Sequence, residues 1–321
     1  MRNFLYLCIW KSTNYKNISH MQINSSKIVE IYFILDEFSK KYLQIVNAHK
    51  VDDGKNHRNK PNKMSDAEVM LILIMFHDGG YKCLKHYYIN YICKHCHDLF
   101  PTTLSYNRFV ELQRSVLIEL GYFVKTCLMA ECTGISFVDS TPLRVCREQR
   151  ILQHKVFQGF AQRGKCSMGW FFGFKLHIII NDRGELINFM ITPGNVDDRD
   201  PLKQMHFVEA ITGKLFADRG YIGKELFGEL FINGIQLVTK LKKGMKNMLM
   251  SQSDKILLRK RSLVESVNDE LKNMAQIEHS RHRSIANFLT NAFAAIAAYC
   301  YFPKKPSLNL QFENDNQLVL F

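Results

Sequence analysis

The stretch GFKLHIIINDRGELINFMIT, residues 173–192, decides the fold. Every second side chain of its first half is apolar, which is the period of a half-buried strand: Phe174, Leu176, Ile178 and Ile180. The turn residues 181–184 then lead into a second apolar run, 186–192. The pattern predicts two strands joined in a hairpin.

Shorter apolar runs on either side of the hairpin predict the remaining strands. Phe137–Asp139 is a short strand that ends at an acid, and Lys214–Ala217 is another that ends just before Asp218. A fifth strand is predicted at 235–239, and helical segments separate the later strands. This order predicts a mixed α/β sheet covered by helices.

The first part of the chain has the residue spacing of helices. Apolar residues recur at helical intervals over 26–42. Ser65 and Glu68 form a capping box, which begins a helix that we expect to end near His77. A helix-turn-helix and plain helical packing both fit this region. Further helical stretches are predicted at 83–96 and 106–120, and a polar loop at 49–63.

The composition favours a polyanionic partner. Lys and Arg number 43 against 30 Asp and Glu, which gives a net charge of +13. Such a balance favours nucleic acid, because cations neutralise phosphates and release counterions; a merely basic soluble protein is the alternative. The nine cysteines show no disulfide framework, so we expect a reducing cytosol. The apolar segment 289–302 is shorter than the roughly 18–20 residues of a membrane span, and we expect no membrane role.

Three acids stand beside apolar residues, where charge is not otherwise favoured. Asp139 and Asp218 end apolar runs, and Glu265 borders the apolar stripe of a predicted helix. A two-metal phosphodiester site needs acidic oxygens brought together from different elements. In open sheets functional groups gather beyond the strand ends, so we predict that these three meet. Taken singly, each acid is equally well explained as a capping or solvated residue.

Other acids compete with this assignment. A turn before a helix contains Asp197, Asp198 and Asp200. Acids at such a place cap the helix, so we predict a structural role for them, with Asp198 the nearest of the three to a metal. On the predicted C-terminal helix, Asp269 and Glu270 compete with the glutamate.

The position of Glu265 on its helix distinguishes it from these neighbours. It lies about 100° around the helix from Val264, on the shoulder of the apolar stripe. Arg261, four residues before it, and Lys272, seven residues after it, share that shoulder. A glutamate flanked by cations beside a buried face can reach both a metal ion and a DNA phosphate.

Four segments together resemble a known family: FVDST (137–141), GWFFGFKLHIIINDRGELINFMITPGNVDDRDPL (169–202), LFADRGYIGKEL (215–226) and KRSLVESVNDELKN (260–273). They resemble the DDE transposases of bacterial insertion sequences, whose catalytic core is ribonuclease-H-like, and most closely the insertion-sequence 982 group. In related transposases the last helix has Arg, three residues, Glu, six residues and Lys, a spacing that this chain shares. The tyrosine found three positions before that arginine in some relatives is Leu258 here.

The resemblance implies a catalytic triad of Asp139, Asp218 and Glu265 that binds two Mg²⁺ ions about 3.5–4 Å apart, with Mn²⁺ as a substitute. It implies an enzyme that binds the terminal inverted repeats of its own element, cleaves the DNA and joins the 3′-hydroxyl end to target DNA. The implied partner is double-stranded DNA, the implied assembly a homodimer on DNA, and the implied location the bacterial cytoplasm at the nucleoid. A metal-dependent nuclease without strand transfer and a non-catalytic DNA-binding derivative are the alternatives.

Basic residues near the triad are the predicted DNA contacts. Residues 240–261 contain eight Lys or Arg and one acid, where relatives have a variable insertion; a solvated loop is the alternative. Residues 155–170 are predicted to form a flexible loop, in which Trp170 either stacks on a base or packs as a hairpin aromatic. The predicted DNA-binding residues are Arg261, Lys272, Lys240, Lys242, Lys243, Lys246, Arg259, Lys260, Arg163 and Lys165.

The predicted domain organisation follows from these segments. We expect an all-α DNA-binding domain over 26–130 and a ribonuclease-H-like domain, a mixed sheet flanked by helices, over 131–303. A basic insertion near 240–260 interrupts the second domain. Residues 1–25 are predicted to be a poorly ordered extension and 304–321 a C-terminal tail.

Overall fold

The structure is a computed structural model that describes residues 25–49, 62–240, 249–278, 282–308 and 318–320. The chain forms two compact units. The helical unit lies within 1–128 and 271–303, and the sheet unit lies within 129–270 and 304–321. The predicted catalytic domain ran to residue 303, whereas residues 271–303 cluster with the helical unit. No helix in the described ranges is long and apolar enough to cross a membrane.

The helical unit begins with two helices whose positions follow the predicted pattern. The capping box is confirmed: Ser65 Oγ accepts from the Glu68 amide, and the Glu68 carboxylate accepts from the Ser65 amide at 2.6 Å. Nearly every side chain of the second helix is buried, so it forms the centre of this unit. Residues 1–24 of the predicted extension and most of the predicted loop 49–63 lie outside the described residues, and Ser25 begins the first helix. The helices are α1 (Ser25–Ala48) and α2 (Asp66–Asp78).

The next two predicted helices are each divided into shorter pieces. Residues 84–95 contain a π-helical turn, Tyr88–Ile92, between two short α-helices. The second stretch is interrupted at Val116, which caps the helices on both sides of it. Helical spacing alone does not reveal such a change of winding, because the apolar periodicity continues through it. The pieces are α3 (Leu84–Tyr87), α4 (Cys93–His95), α5 (Tyr106–Ser115) and α6 (Leu117–Phe123).

The sheet unit is built on one mixed sheet whose strand order is β4-β3-β1-β5-β6, with β2 pairing on the outer part of β3. The strand β3 is antiparallel to both β1 and β4, whereas β5 and β6 run parallel to β1. This order and these directions are those of a ribonuclease-H-like fold, so the predicted fold class is confirmed. The strands are β1 (Ile135–Cys146), β2 (Gln162–Cys166), β3 (Gly169–Asn181), β4 (Leu186–Pro193), β5 (Gly213–Ala217) and β6 (Ile235–Thr239).

The predicted hairpin of β3 and β4 is confirmed, but the polar side chains of β3 are buried instead of facing solvent. The turn after Asn181 includes Gly184 at φ +70°, a left-handed conformation that glycine adopts without strain. The β3 strand was predicted to be half-buried, and this is wrong. Lys175 and His177 are buried: Asp198, in the loop after β4, accepts from the Lys175 ammonium, and Thr192, on β4 itself, contacts the His177 ring.

Two further elements differ from the sequence prediction. The stretch 155–170 was predicted to be a flexible loop, but it contains β2, which pairs with β3. The strand predicted at Phe137–Asp139 continues to Cys146, through Pro142. A proline is tolerated there because β1 pairs with β5 only over 135–137, so a missing N–H on that side breaks no ladder.

The remaining elements complete the two units. A small antiparallel pair of strands and four short helices belong to the sheet unit, and one long apolar helix belongs to the helical unit. They are α7 (Met205–Val208), α8 (Lys224–Ile232), β7 (Leu249–Ser251), α9 (Gln252–Arg259), α10 (Ser262–Asp269), α11 (Ile285–Tyr301) and β8 (Leu318–Leu320).

Candidate active site

The register between β1 and β5 brings two of the predicted acids to one edge of the sheet. Phe137 lies opposite Phe216, and their rings are 5.5 Å apart. Two residues after this pair come Asp139, on β1, and Asp218, just past the end of β5; neighbouring strands lie about 4.8 Å apart. Asp139 continues the strand, whereas Asp218 begins the turn after β5 and is exposed.

Asp139 is held by two side chains from the segment that contains α10. The amide nitrogen of Asn268 donates to its Oδ2 at 3.1 Å, and a guanidinium nitrogen of Arg261 lies 3.9 Å from its Oδ1. Burial raises the pKa of Asp139 to about 6, while Arg261 opposes that rise and the charges of Glu265 and Asp198 add to it. A carboxyl with so high a pKa in the absence of a metal favours a cation beside it.

Glu265 approaches the same place through Arg261. Its Oε1 accepts from the arginine at 2.5 Å, and its side chain is 56% exposed. One guanidinium therefore bridges the strand aspartate and the helix glutamate, as the predicted i, i+4 spacing requires. In the described part of the chain no three His, Cys, Asp or Glu side chains lie close enough together to hold a metal ion. The triad thus stays a prediction: Asp139 and Glu265 share one cation, and Asp218 lies along the same edge.

The competing acids have other partners. Asp197 binds the guanidinium of Arg199 through both of its oxygens, at 2.9 and 2.8 Å, and this pair lowers the pKa of Asp197. Asp198 accepts from the Ser140 hydroxyl at 2.8 Å and from the Lys175 ammonium at 2.9 Å. Asp198 therefore braces the strands β1 and β3 just behind Asp139.

The predicted DNA-binding residues fall into several groups. Arg163 and Lys165 are exposed on β2, and Lys240 follows β6. Lys242, Lys243 and Lys246 lie outside the described residues. Arg259 ends α9, with Lys260 exposed after it, whereas Lys272 belongs to the helical unit and lies 3.5 Å from Glu278.

Two residues of the site were not predicted. Asn268 is buried on the apolar stripe of α10, and its Oδ1 atom has no hydrogen-bond partner among the described residues. An amide on an apolar stripe is a usable sequence signal for a polar contact. Tyr221 is buried after Asp218, and burial together with the charges of Asp139 and Asp198 raises its pKa. Nothing in the sequence separates this tyrosine from an ordinary core aromatic.

Comparison with known proteins gives one family match. Residues 129–285 match the family described as Transposase DDE domain. No curated protein matches the chain. The matched range contains all six strands of the main sheet, Asp139, Asp218 and the α10 glutamate.

Similar solved structures include three transposase complexes. A cryo-EM piggyBac transposase synaptic complex with hairpin DNA is 10% identical, with a TM-score of 0.44, and the match covers 94% of this chain and 74% of that one. A Mos1 transposase paired-end complex with the left transposon end is 13% identical, with a TM-score of 0.23, over 87% of this chain and 99% of that one. A Mos1 mariner paired-end complex with Mn has 13% identity and a TM-score of 0.24, over 87% and 98%. Because these TM-scores are all below 0.5, the similarity of this chain to transposases depends on the family match.

Proposed function

We propose that this chain is a DDE transposase, of the insertion-sequence 982 group, that cleaves DNA at the ends of its own element and joins them to target DNA. The transposase DDE match over 129–285 supports the class of enzyme. One contact supports a catalytic role for these acids: Arg261 lies 3.9 Å from Asp139 and also binds Glu265. Asp218, in register with Asp139 along the same edge, completes the proposed triad.

The residues of the site suit divalent cations. All the donors of the proposed triad are carboxylate oxygens, the ligand type that Mg²⁺ and Mn²⁺ prefer. The raised pKa of Asp139 is consistent with a bound cation, because a neighbouring positive charge stabilises the ionised form of a carboxyl that burial destabilises. When bound by Asp139, Asp218 and Glu265, two such ions supply Lewis-acid stabilisation of the phosphodiester oxygens.

The side chains around the triad orient it. Asn268 fixes one oxygen of Asp139 by donating an amide hydrogen to it. Arg261 has one guanidinium nitrogen 3.9 Å from Asp139 and another 2.5 Å from Glu265, so it links the two carboxylates. Ser140 and Lys175 bind Asp198, and this contact keeps β1 and β3 in place beside the reacting residues.

The proposed substrate is double-stranded DNA, comprising the element's terminal inverted repeats and the target, and the proposed assembly is a homodimer that pairs two ends. The net charge of +13 supports a polyanionic partner. The proposed phosphate contacts are the basic residues around the sheet unit, among them Arg163, Lys165, Arg259 and Lys260. The bacterial cytoplasm, at the nucleoid, is the proposed location.

The decisive experiment is a strand-transfer assay with the element's own inverted repeats and a target plasmid, with and without Mg²⁺. Joined products that depend on Mg²⁺ and disappear in Asp139→Asn support the proposal. Hydrolysis without joining would instead identify a nuclease, and binding without cleavage would identify a non-catalytic DNA-binding protein. Of the three outcomes, the intact Arg261–Glu265 contact favours the first.

A further inference from the structure

An exposed indole lies within cation–π distance of two cations on the outer hairpin of the sheet unit. Trp170 on β3 lies opposite Lys165 on β2 and is 52% exposed. The ring centroid is 4.7 Å from the guanidinium carbon of Arg163 and 5.8 Å from the ammonium nitrogen of Lys165. Both distances are those of cation–π contacts, so the two cations hold the indole in one orientation.

The other face of this hairpin is packed, which fixes the direction of the indole. Phe171, the next residue on β3, is buried. A Cβ atom added to Gly164, between the two cations, would lie 2.0 Å from the carbonyl oxygen of Gly194. The backbones touch there, so β2 is held against the loop after β4 and cannot turn over. Arg163, Lys165 and Trp170 therefore all face outward.

The surrounding chain is cationic and has apolar side chains in solvent. Residues 144–170 contain six Arg or Lys and a single acid, Glu148, which lies 3.4 Å from Arg163. Phe160 and Met168 are exposed in the same stretch. An anionic lipid surface or an acidic protein segment would match the positive charge, but neither supplies a flat base to stack on the indole. A nucleotide matches both, since it has a flat aromatic base and a phosphate.

We propose that Trp170, with Arg163 and Lys165, forms a stacking platform for an unpaired base of single-stranded DNA. The proposal rests on the proposed function, since DNA cleavage exposes unpaired strands near the sheet unit. Bases in a duplex stack on one another and present only their edges, whereas an unpaired base offers a free face to the indole. The two cations neutralise the phosphates on either side of that base, so the platform selects single strands over duplex.

Fluorescence tests the contact directly. The chain has two tryptophans, Trp10 and Trp170, so Trp10→Phe leaves the platform indole as the only one. We expect a thymidine oligonucleotide of about 12 nucleotides to quench this emission, because a stacked base quenches indole, and a blunt duplex of the same length to leave it nearly unchanged. Equal quenching by the duplex would overturn the proposal.

Affinity provides the second measurement. Trp170→Ala should weaken single-strand binding about tenfold, Trp170→Phe by less, and neither should change duplex affinity more than about twofold. The matched control is Phe231→Ala, which removes a 65% exposed aromatic from α8. Equal effects of Trp170→Ala and Phe231→Ala, in variants with unchanged melting temperature, would overturn the platform.

The two proposals fail separately. If Asp139→Asn abolishes DNA cleavage while Trp170→Ala leaves single-strand affinity unchanged, the platform is wrong and the transposase proposal stands. If Trp170→Ala weakens single-strand binding while Asp139→Asn still cleaves, the platform stands and the proposed active site is wrong.

Discussion

Each unit of the protein contains an ionisable side chain whose pKa is shifted by burial, and the two shifts have opposite directions. In the helical unit, His77 is 1% exposed; its Nδ1 lies 2.6 Å from the carbonyl oxygen of Ala275 and its Nε2 lies 3.1 Å from the side-chain oxygen of Asn291. Burial lowers the pKa of His77 to about 4, so the ring is neutral. In the sheet unit, burial raises the pKa of Asp139 to about 6, and its side chain remains 22% exposed.

The difference indicates that the buried His77 stabilises the helical unit, whereas Asp139 in the sheet unit is available for the proposed reaction. The neutral ring of His77 has a single N–H, which donates to the Ala275 carbonyl, and its second nitrogen lies against the side-chain amide of Asn291, so both nitrogens are enclosed within the unit. One oxygen of Asp139 accepts a hydrogen bond from the Asn268 amide. The other oxygen lies 3.9 Å from the Arg261 guanidinium, too far for a hydrogen bond. In the proposed function, that oxygen exchanges its partner for a metal ion, and Arg261 then binds phosphate instead. The predictions below test this division, beginning with the largest effect.

The first variant, Asp139→Asn, removes the carboxylate and keeps the shape of the side chain. We expect DNA cleavage to fall by at least about 10³-fold, because a reacting charge is lost. The free energy of unfolding should change by less than about 1 kcal/mol, since the raised pKa shows that burial disfavours the charge. Cleavage rates and chemical denaturation measure the two effects.

A matched pair on α10 extends this test. Glu265→Gln should show a similar loss of cleavage, whereas Asp269→Asn, at an exposed acid on the same helix, should keep wild-type activity. If Asp269→Asn were the variant that lost cleavage, the contact between Arg261 and Glu265 would not mark the catalytic glutamate.

For His77 we expect an effect on stability and none on chemistry. Folding lowers its pKa from 6.5 to about 4, so between these pH values the unfolded chain binds a proton that the folded chain does not. The stability is therefore complete above pH 6.5 and decreases as the pH falls toward 4, by about 3 kcal/mol for this residue.

The pH dependence of unfolding in wild type and His77→Gln isolates that contribution. The variant should have a flatter profile between pH 6.5 and 4. Some slope should remain, because burial also lowers the pKa of His282 to about 3 and that of His177 to about 4. Identical slopes in the two proteins would show that His77 is not buried in its neutral form.

A smaller effect is expected from Asn268→Leu, which removes the amide donor to Asp139 and fills the same space. Losing one hydrogen bond of about 1 kcal/mol corresponds to roughly a fivefold lower kcat, with KM unchanged because the residue orients the aspartate and does not touch DNA. Ser266→Ala, on the exposed side of α10, is the control. A change in KM alone would exclude a positioning role.

The smallest effect tests the helical unit at its surface. Ser65→Ala removes the side-chain acceptor that caps α2 and should lower the free energy of unfolding by about 1 kcal/mol. Cleavage measured well below the melting temperature should not change. A loss of activity at full folding would mean that the two units do not divide stability and chemistry as proposed.

The local chemistry of the chain predicts much of this fold. The hairpin is encoded by alternation and by the turn before Gly184, and β6 has the predicted bounds 235–239. The capping box needed only Ser65 and Glu68. In each of these cases the deciding interactions lie within a few residues of one another, so a local pattern contains them.

What the sequence misses depends on distant partners. QRGKC (162–166) has no apolar alternation, and it is a strand only because β3 pairs with it and Gly164 meets the backbone of Gly194. The burial of Lys175 depends on a carboxylate in the loop after β4. Asn268 binds Asp139 across 129 residues of sequence, so neither residue predicts the other.

The order in which the chain is synthesised gives the division into units a further consequence. Residues 129–270 of the sheet unit emerge from the ribosome between the two parts of the helical unit. The ring of His77 can therefore make its contacts only after Ala275 and Asn291, which lie 198 and 214 residues later, have been synthesised. A nascent chain stopped at residue 128 lacks α11 and so cannot complete the core around α2, whereas the sheet unit can begin to fold earlier. Fragments for expression should accordingly retain both ends of the chain.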